Sequence, residues 1–197
     1  AGLCLGSGLN RLASGGVADF SLTDDCALKI DKVASDYTIR FTSSAGNVDS
    51  SALTITFGVA AALALTTAPT SSAVSQTAFA QQPVVTVQDA SGNSVTDSAL
   101  DITAALQVNT ASGALTGTAG GLCLGTGLNR LAIAGVADFS ATNECALKID
   151  KAATDYTIRF TASVGSVDSS ALTISFGVAA KLVVFISPAL STAGYIF

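Results

Sequence analysis

The chain contains no histidine, no methionine and no tryptophan, and only three prolines. Without histidine it has neither the side chain that titrates nearest neutrality nor any Ser-His or Cys-His nucleophile pair. Glu144 is the only glutamate, so a catalytic carboxylate pair would have to be built from aspartates. Asp24 and Asp25 are adjacent, but the matching positions farther along are Asn143 and Glu144, and both sets read as solvated turn residues. The cysteines show no CxxC spacing and have no histidine to help them, which makes a poor tetrahedral metal site. The expectation is a protein that is not an enzyme, with no catalytic residue, no metal ligand and no cofactor.

Charge is scarce as well. Charged residues make up 12% of the chain, the net charge is −5 and the isoelectric point is near 4.4. Nucleic-acid binding needs a basic stripe, and none is present. The longest apolar run, FGVAAALAL, is about half of the roughly 18 residues a membrane span requires, so no membrane span is expected. With no initiating methionine and no charged leader, the sequence reads as a processed chain or as an excerpt of a longer one.

What is present is small and β-tolerant. Hydrophobic residues reach 49%, yet aromatics only 6%, with Ala, Val, Leu, Ser, Thr and Gly carrying the bulk. That content is too apolar for disorder, and its small side chains suit thin β-sandwiches better than a large enzyme core.

The chain also repeats itself. GLCLGSGLNRLA opens at Gly2 and GLCLGTGLNRLA returns at Gly121. Residues 2–60 match residues 121–179 without a gap, at a constant offset of about 119 positions and roughly 80% identity. Cys4 corresponds to Cys123, Cys26 to Cys145, Tyr37 to Tyr156 and Asp49 to Asp168. AAKLVVFISPA from Ala179 resembles AAALALTTAPT from Ala60. The organisation read from this is the second half of a repeat over 1–59, a complete repeat over 60–178, and the first strand of a following repeat over 179–197. Two readings stay open. The chain is a window onto a long tandem array, or its out-of-phase ends join copies head to tail by strand addition. In the second reading Leu182, Val183, Val184, Phe185, Ile186, Tyr195, Ile196 and Phe197 form the donated strand. Nothing in that tail corresponds to Gln82 through Ala119, which weighs against it.

Period-2 alternation recurs throughout, and helical periodicity does not. DYTIRFT sets Tyr37, Ile39 and Phe41 on one face, SALTITF aligns Leu53, Ile55 and Phe57, and GVADFSL aligns Ala18, Phe20 and Leu22. PVVTVQ and LDITAALQV behave similarly, with a turn at Asp89–Asn93 between them. Pro69 and Pro83 sit near strand starts, where a missing N–H does least harm. About seven short strands per repeat predict two packed antiparallel sheets.

The run AFAQQPVVTVQDASGNSVTDS, followed by GVADFS, DYTIRFTAS and SALTISF, resembles the bacterial Ig-like repeats of large surface adhesins and invasin-type proteins. Those repeats commonly open on an AAKLVF-type strand and a proline, as Ala180 to Phe185 and Pro188 do here. The resemblance implies an all-β chain of tandem Ig-like sandwiches.

Cys4 and Cys26, then Cys123 and Cys145, stand 22 positions apart. One disulfide per repeat is the simplest reading, with a bridge swapped between repeats or chains as the alternative. Closing such a loop stabilises by about 3 kcal/mol in the chain-entropy account and places the protein outside the cell or at its surface. GLCLGTG lacks the Lys-Ser/Thr ending and the helix of a phosphate loop, so its glycines read as a tight turn beside the disulfide. Asp89 and Asn93 could lend oxygens to Ca²⁺, but a turn that satisfies its own backbone is the favoured reading. Arg11 and Arg130, Lys29 and Lys148, Arg40 and Arg159 recur in register and are expected on outward faces, discouraging edge pairing. Abundant Ser and Thr admit O-glycans, although no Asn-x-Ser/Thr sequon occurs.

Together these features predict a structural segment of an extracellular filament or stalk whose partners are copies of itself. The rival is a cell-surface adhesin module binding a glycan or protein through its end loops, which predicts loops that differ between copies. The loops visible in both copies hardly differ.

Overall fold

The computed structural model describes residues 4–5, 9–20, 27–118, 123–124, 127–140 and 145–179. Every regular element among them is a β-strand. In the first copy of the repeat, β1 (Cys4–Leu5) pairs with β2 (Asn10–Arg11). Next, β3 (Ala34–Tyr37) pairs with β6 (Leu53–Ile55), and β4 (Arg40–Ser43) with β5 (Gly46–Asp49). These are three separate two-stranded antiparallel ladders.

The stretch 60–178 is fuller. Its strands are β7 (Ala60–Thr67), β8 (Ser72–Val74), β9 (Val84–Asp89), β10 (Asp101–Val108), β11 (Leu115–Thr116) and β12 (Cys123–Leu124). They continue with β13 (Asn129–Leu131), β14 (Val136–Asp138), β15 (Lys148–Ile149), β16 (Ala153–Ala162), β17 (Gly165–Asp168) and β18 (Leu172–Ser175). One sheet runs β14-β9-β7; a larger one runs β12-β13-β10-β16-β18-β8, with β17 paired to β16; β11 and β15 form a short ladder of their own.

Alternation explains which faces are buried. On β16, Tyr156, Ile158 and Phe160 are buried while the residues between them are not, and Leu172 and Ile174 do the same on β18. These side chains form one core with Leu63, Val85, Val87 and Ala137 of the smaller sheet, so both sheets bury their apolar faces in a common cluster. Phe139 and Phe160 meet inside it with ring centroids 5.5 Å apart, a tilted contact.

Two features depart from the expectation of antiparallel strands with one covered face. β8 pairs with β18 in parallel, Ser72 opposite Thr173. The chain leaves the smaller sheet after β7, passes buried Pro69, which cannot donate to a ladder, and joins the larger sheet at its edge. β9 lies between β7 and β14, and on it Thr86 is buried along with Val85 and Val87. The Thr86 hydroxyl is satisfied there by Thr66 Oγ1 at 3.0 Å.

Candidate functional site

The described residues of the second GLCLGTGLNRLA copy form two short paired strands beside a disulfide. β12 and β13 form a hairpin with Cys123 opposite Arg130, and its turn closes through the Gly127 amide donating to the Leu124 carbonyl at 3.1 Å. Gly127 has φ +77°, and a β-carbon on Gly117 would collide with the Gly127 carbonyl, so both positions require glycine. Cys123 is bonded to Cys145 across a Cα separation of 5.5 Å, which ties this hairpin to the strand region carrying buried Leu147 and Ile149. Gln82 reinforces the same region. Its Nε2 donates to the Phe79 carbonyl at 2.9 Å and the Leu147 carbonyl at 3.2 Å, and its Oε1 accepts from the Leu147 amide at 2.8 Å. No motif marks Gln82 in the sequence, because its partner stands 65 positions away.

Cys26 and the tail residues Leu182, Val183, Val184, Phe185, Ile186, Tyr195, Ile196 and Phe197 lie outside the described residues, so the Cys4–Cys26 bridge and the donated strand do too. Asp24, Asp25, Asn143 and Glu144 likewise lie outside them.

The feature that joins distant parts of the chain is the Asp89–Asn93 turn. It closes on itself as a local turn, with the Gly92 amide on the Asp89 carbonyl at 3.0 Å and Gly92 at φ +77°. The Asp89 carboxylate accepts from the Ser91 and Asn93 amides, each at 2.9 Å, and from Asn93 Nδ2 at 3.0 Å. It also reaches beyond the turn to accept from the Gly58 amide at 2.9 Å. The Gly58 donor, then the Asn93 side chain and backbone, hold this carboxyl well below the usual carboxylate range. With N–H donors on both oxygens, this arrangement favours a self-satisfied turn over a cation site.

Asn93 does the bridging. Its Nδ2 donates to the Asp31 carbonyl at 2.8 Å, while its Oδ1 accepts from the Val33 amide at 3.2 Å. Lys32, between them, extends its ammonium to the Ser91 carbonyl at 2.8 Å. The first copy is therefore clipped to the 60–178 stretch at three successive residues and again at Gly58. Phe57, just before Gly58, packs half-buried against the core of 60–178. The turn is legible in the sequence and the clip is not, since its partners stand about 30 to 60 positions apart and no local pattern encodes them.

The recurring basic residues divide. Arg40 pairs in bidentate fashion with Asp49 at 2.7 and 2.8 Å, and Arg159 with Asp168 at 2.7 Å twice. Each pair stands directly across a hairpin on an exposed face, and each partner holds the other's charge: the carboxyls fall below and the guanidiniums rise above their usual range. Arg130 overturns the expectation of an outward face. It is 3% exposed, because it stands in register with buried Ile102 and Cys123 and so shares their covered face, and burial lowers its guanidinium's pKa against the opposing pull of Asp138.

Among the described residues, no group of three acidic, cysteine or histidine side chains converges, and no helix is long and apolar enough to cross a membrane. No protein-family model matches the chain, and no curated protein matches it significantly.

Proposed function

We propose that the chain is a structural segment of an extracellular filament or stalk, assembled from tandem Ig-like sandwiches with a disulfide in each. In this reading 60–178 is one complete unit whose two sheets are the layers of the sandwich, 1–59 is the second half of another, and 179–197 opens a third. The observation that carries it is the clip between successive copies, in which Asp89, Ser91 and Asn93 grip Asp31, Lys32, Val33 and Gly58. A binding module strung on a flexible tether has no use for a hydrogen-bonded joint. A load-bearing array does, because contacts between neighbours set its stiffness and spacing. The Cys123–Cys145 bond fits an oxidising compartment, at the cell surface or beyond it. Exposed hydroxyls on the outer strand positions leave room for O-glycans, and the partners are further copies, head to tail.

Electron microscopy of the native material under non-reducing conditions tests this reading. The expected result is a filament whose axial period equals one repeat. Isolated particles with no periodic order would overturn it.

A further inference from the structure

The GLCLGTGLNRLA segment contains one pairing that the array leaves unused. The β12–β13 hairpin sets its cysteine against its arginine, Cys123 opposite Arg130, and the first copy keeps the same register, Cys4 opposite Arg11. Residues so opposed have β-carbons about 5 Å apart on one face of the ladder. In the second copy that face is covered: Cys123 is 4% exposed, its bonded partner Cys145 0% and Arg130 3%. A guanidinium so buried needs acceptors, yet neither Nε nor Nη1 of Arg130 has a hydrogen-bond partner. Among the described residues the charge acting on Arg130 is Asp138 of β14, whose carboxylate accepts from the Ser140 amide at 2.8 Å and hydroxyl at 3.2 Å. Other charges nearby face elsewhere. Asp101, on the next position of β10 from Ile102, is exposed, and Lys148 alternates with buried Leu147 and Ile149. A disulfide sulfur is a weak acceptor for the idle donors, whereas a thiolate in the same place is a full negative charge.

We propose that the Cys123–Cys145 bridge is a thiol–disulfide exchange site that takes a dithiol, with Arg130 receiving Cys123 as its thiolate when the bond opens. One dithiol sulfur attacks Cys145 Sγ. The bond to Cys123 breaks, and its electron pair leaves on Cys123 Sγ beside the guanidinium. The second dithiol sulfur then displaces Cys145 from the mixed disulfide, and the reagent closes to a cyclic disulfide. The bridge gains the two electrons that the dithiol loses. Of the dithiol's two protons, one stays on Cys145 and the other goes to solvent. A cation beside the sulfur favours the thiolate, and a sulfur that ionises readily is the better leaving group, which directs the attack to Cys145. Desolvation of a lone thiolate works the other way. Here the cation is already buried and lacks acceptors, so opening the bond satisfies both groups at once. The inference concerns one unit and stands apart from whether the repeats assemble.

The test equilibrates the full chain, bridge intact, with mixtures of reduced and oxidised dithiothreitol. Alkylation and peptide mass spectrometry then give the open and closed fractions of Cys123–Cys145. Equilibrium is read rather than rate because both sulfurs are covered. Each opening releases one proton when Cys123 leaves as a thiolate, so the equilibrium constant for reduction should rise about tenfold per pH unit from about pH 7 to 8. Arg130→Met should flatten this dependence, and Arg130→Lys should keep it. An arginine with only a structural role would change the stability of the bridge and leave the slope alone. A flat dependence in the parent chain overturns the proposal, and so does an unchanged slope in Arg130→Met. A second measurement leaves Arg130 in place, in case its loss prevents folding. In the full chain carrying Cys145→Ser, the alkylation rate of Cys123 against pH should have its midpoint below the ordinary thiol value of about 8.5. A midpoint at or above that value overturns the proposal.

Discussion

Phe20 and Phe139 are the same residue of the repeat in two settings, as are Phe41 and Phe160. In both copies the rings meet, with centroids 5.4 Å apart in the first and 5.5 Å in the second. In the second copy both rings are fully buried, and in the first both are only half-buried. Nearly identical letters thus give a closed core in one place and a half-covered ring pair in the other. The difference lies in what covers them: β9 and β10 supply Val85, Val87, Ile102 and Ala104 to the second copy. Local hairpins form in either setting, but burial is a property of the whole repeat.

The largest expected effect separates the copies at this aromatic pair. Phe160→Ala should destabilise the 60–178 stretch by about 3–5 kcal/mol, because it removes a fully buried ring and leaves a cavity. Phe41→Ala should shift the same unfolding transition by no more than about 0.5 kcal/mol. Denaturant unfolding of the two variants makes the comparison. Equal losses would mean that Phe41 is covered as thoroughly as Phe160, and the contrast between the copies would disappear.

A middle-sized effect is expected at the joint, where the copies meet. The Asp89 carboxyl has its pKa below the usual range in the folded protein, first because of the Gly58 amide and then because of Asn93. The contribution of such a group is fully present above its unfolded pKa, near 4, and is lost as pH falls toward the folded value. Protection of the Gly58 and Val33 amides, corrected for intrinsic exchange, should therefore weaken below about pH 4 while the hairpin cores persist. Asp89→Asn should speed Gly58 exchange about tenfold at neutral pH and flatten the acid dependence. A joint that ignores both acid and the substitution is not held by this carboxylate.

The sequence showed the alternating strands best. Tyr37, Ile39 and Phe41 read as one face, and their counterparts Tyr156, Ile158 and Phe160 are buried together, because a strand with one covered side writes that pattern directly. The turn at Asp89–Asn93 and the Cys123–Cys145 bridge were visible for similar reasons, as local chemistry and matched spacing. What stayed hidden depended on neighbours remote in sequence. Thr86 is buried on β9 although Val85 and Val87 alternate with it, and Arg130 shares the covered face of Ile102 and Cys123, its partners in register. The parallel approach of β8 to β18 and the grip of Asn93 on Asp31 and Val33 join residues about 60 to 100 positions apart, which no period-2 pattern reports.

The smallest expected effect is one in which the copies should agree. Arg40–Asp49 and Arg159–Asp168 have the same geometry, and each closes a hairpin whose two strands adjoin in sequence. Their side chains are 39–66% exposed, so water and salt screen the attraction. Arg40→Ala and Arg159→Ala should therefore each move the melting temperature by less than about 2 °C, and added salt should erase the difference from the parent. Both aspartates have lowered pKa values from their arginine partners, so what little they contribute is present above the ordinary carboxylate pKa and fades as pH falls. If Arg159→Ala proved much more damaging than Arg40→Ala, the hairpin would be coupled to the closed core. The shared core of 60–178 would then extend outward to include β17.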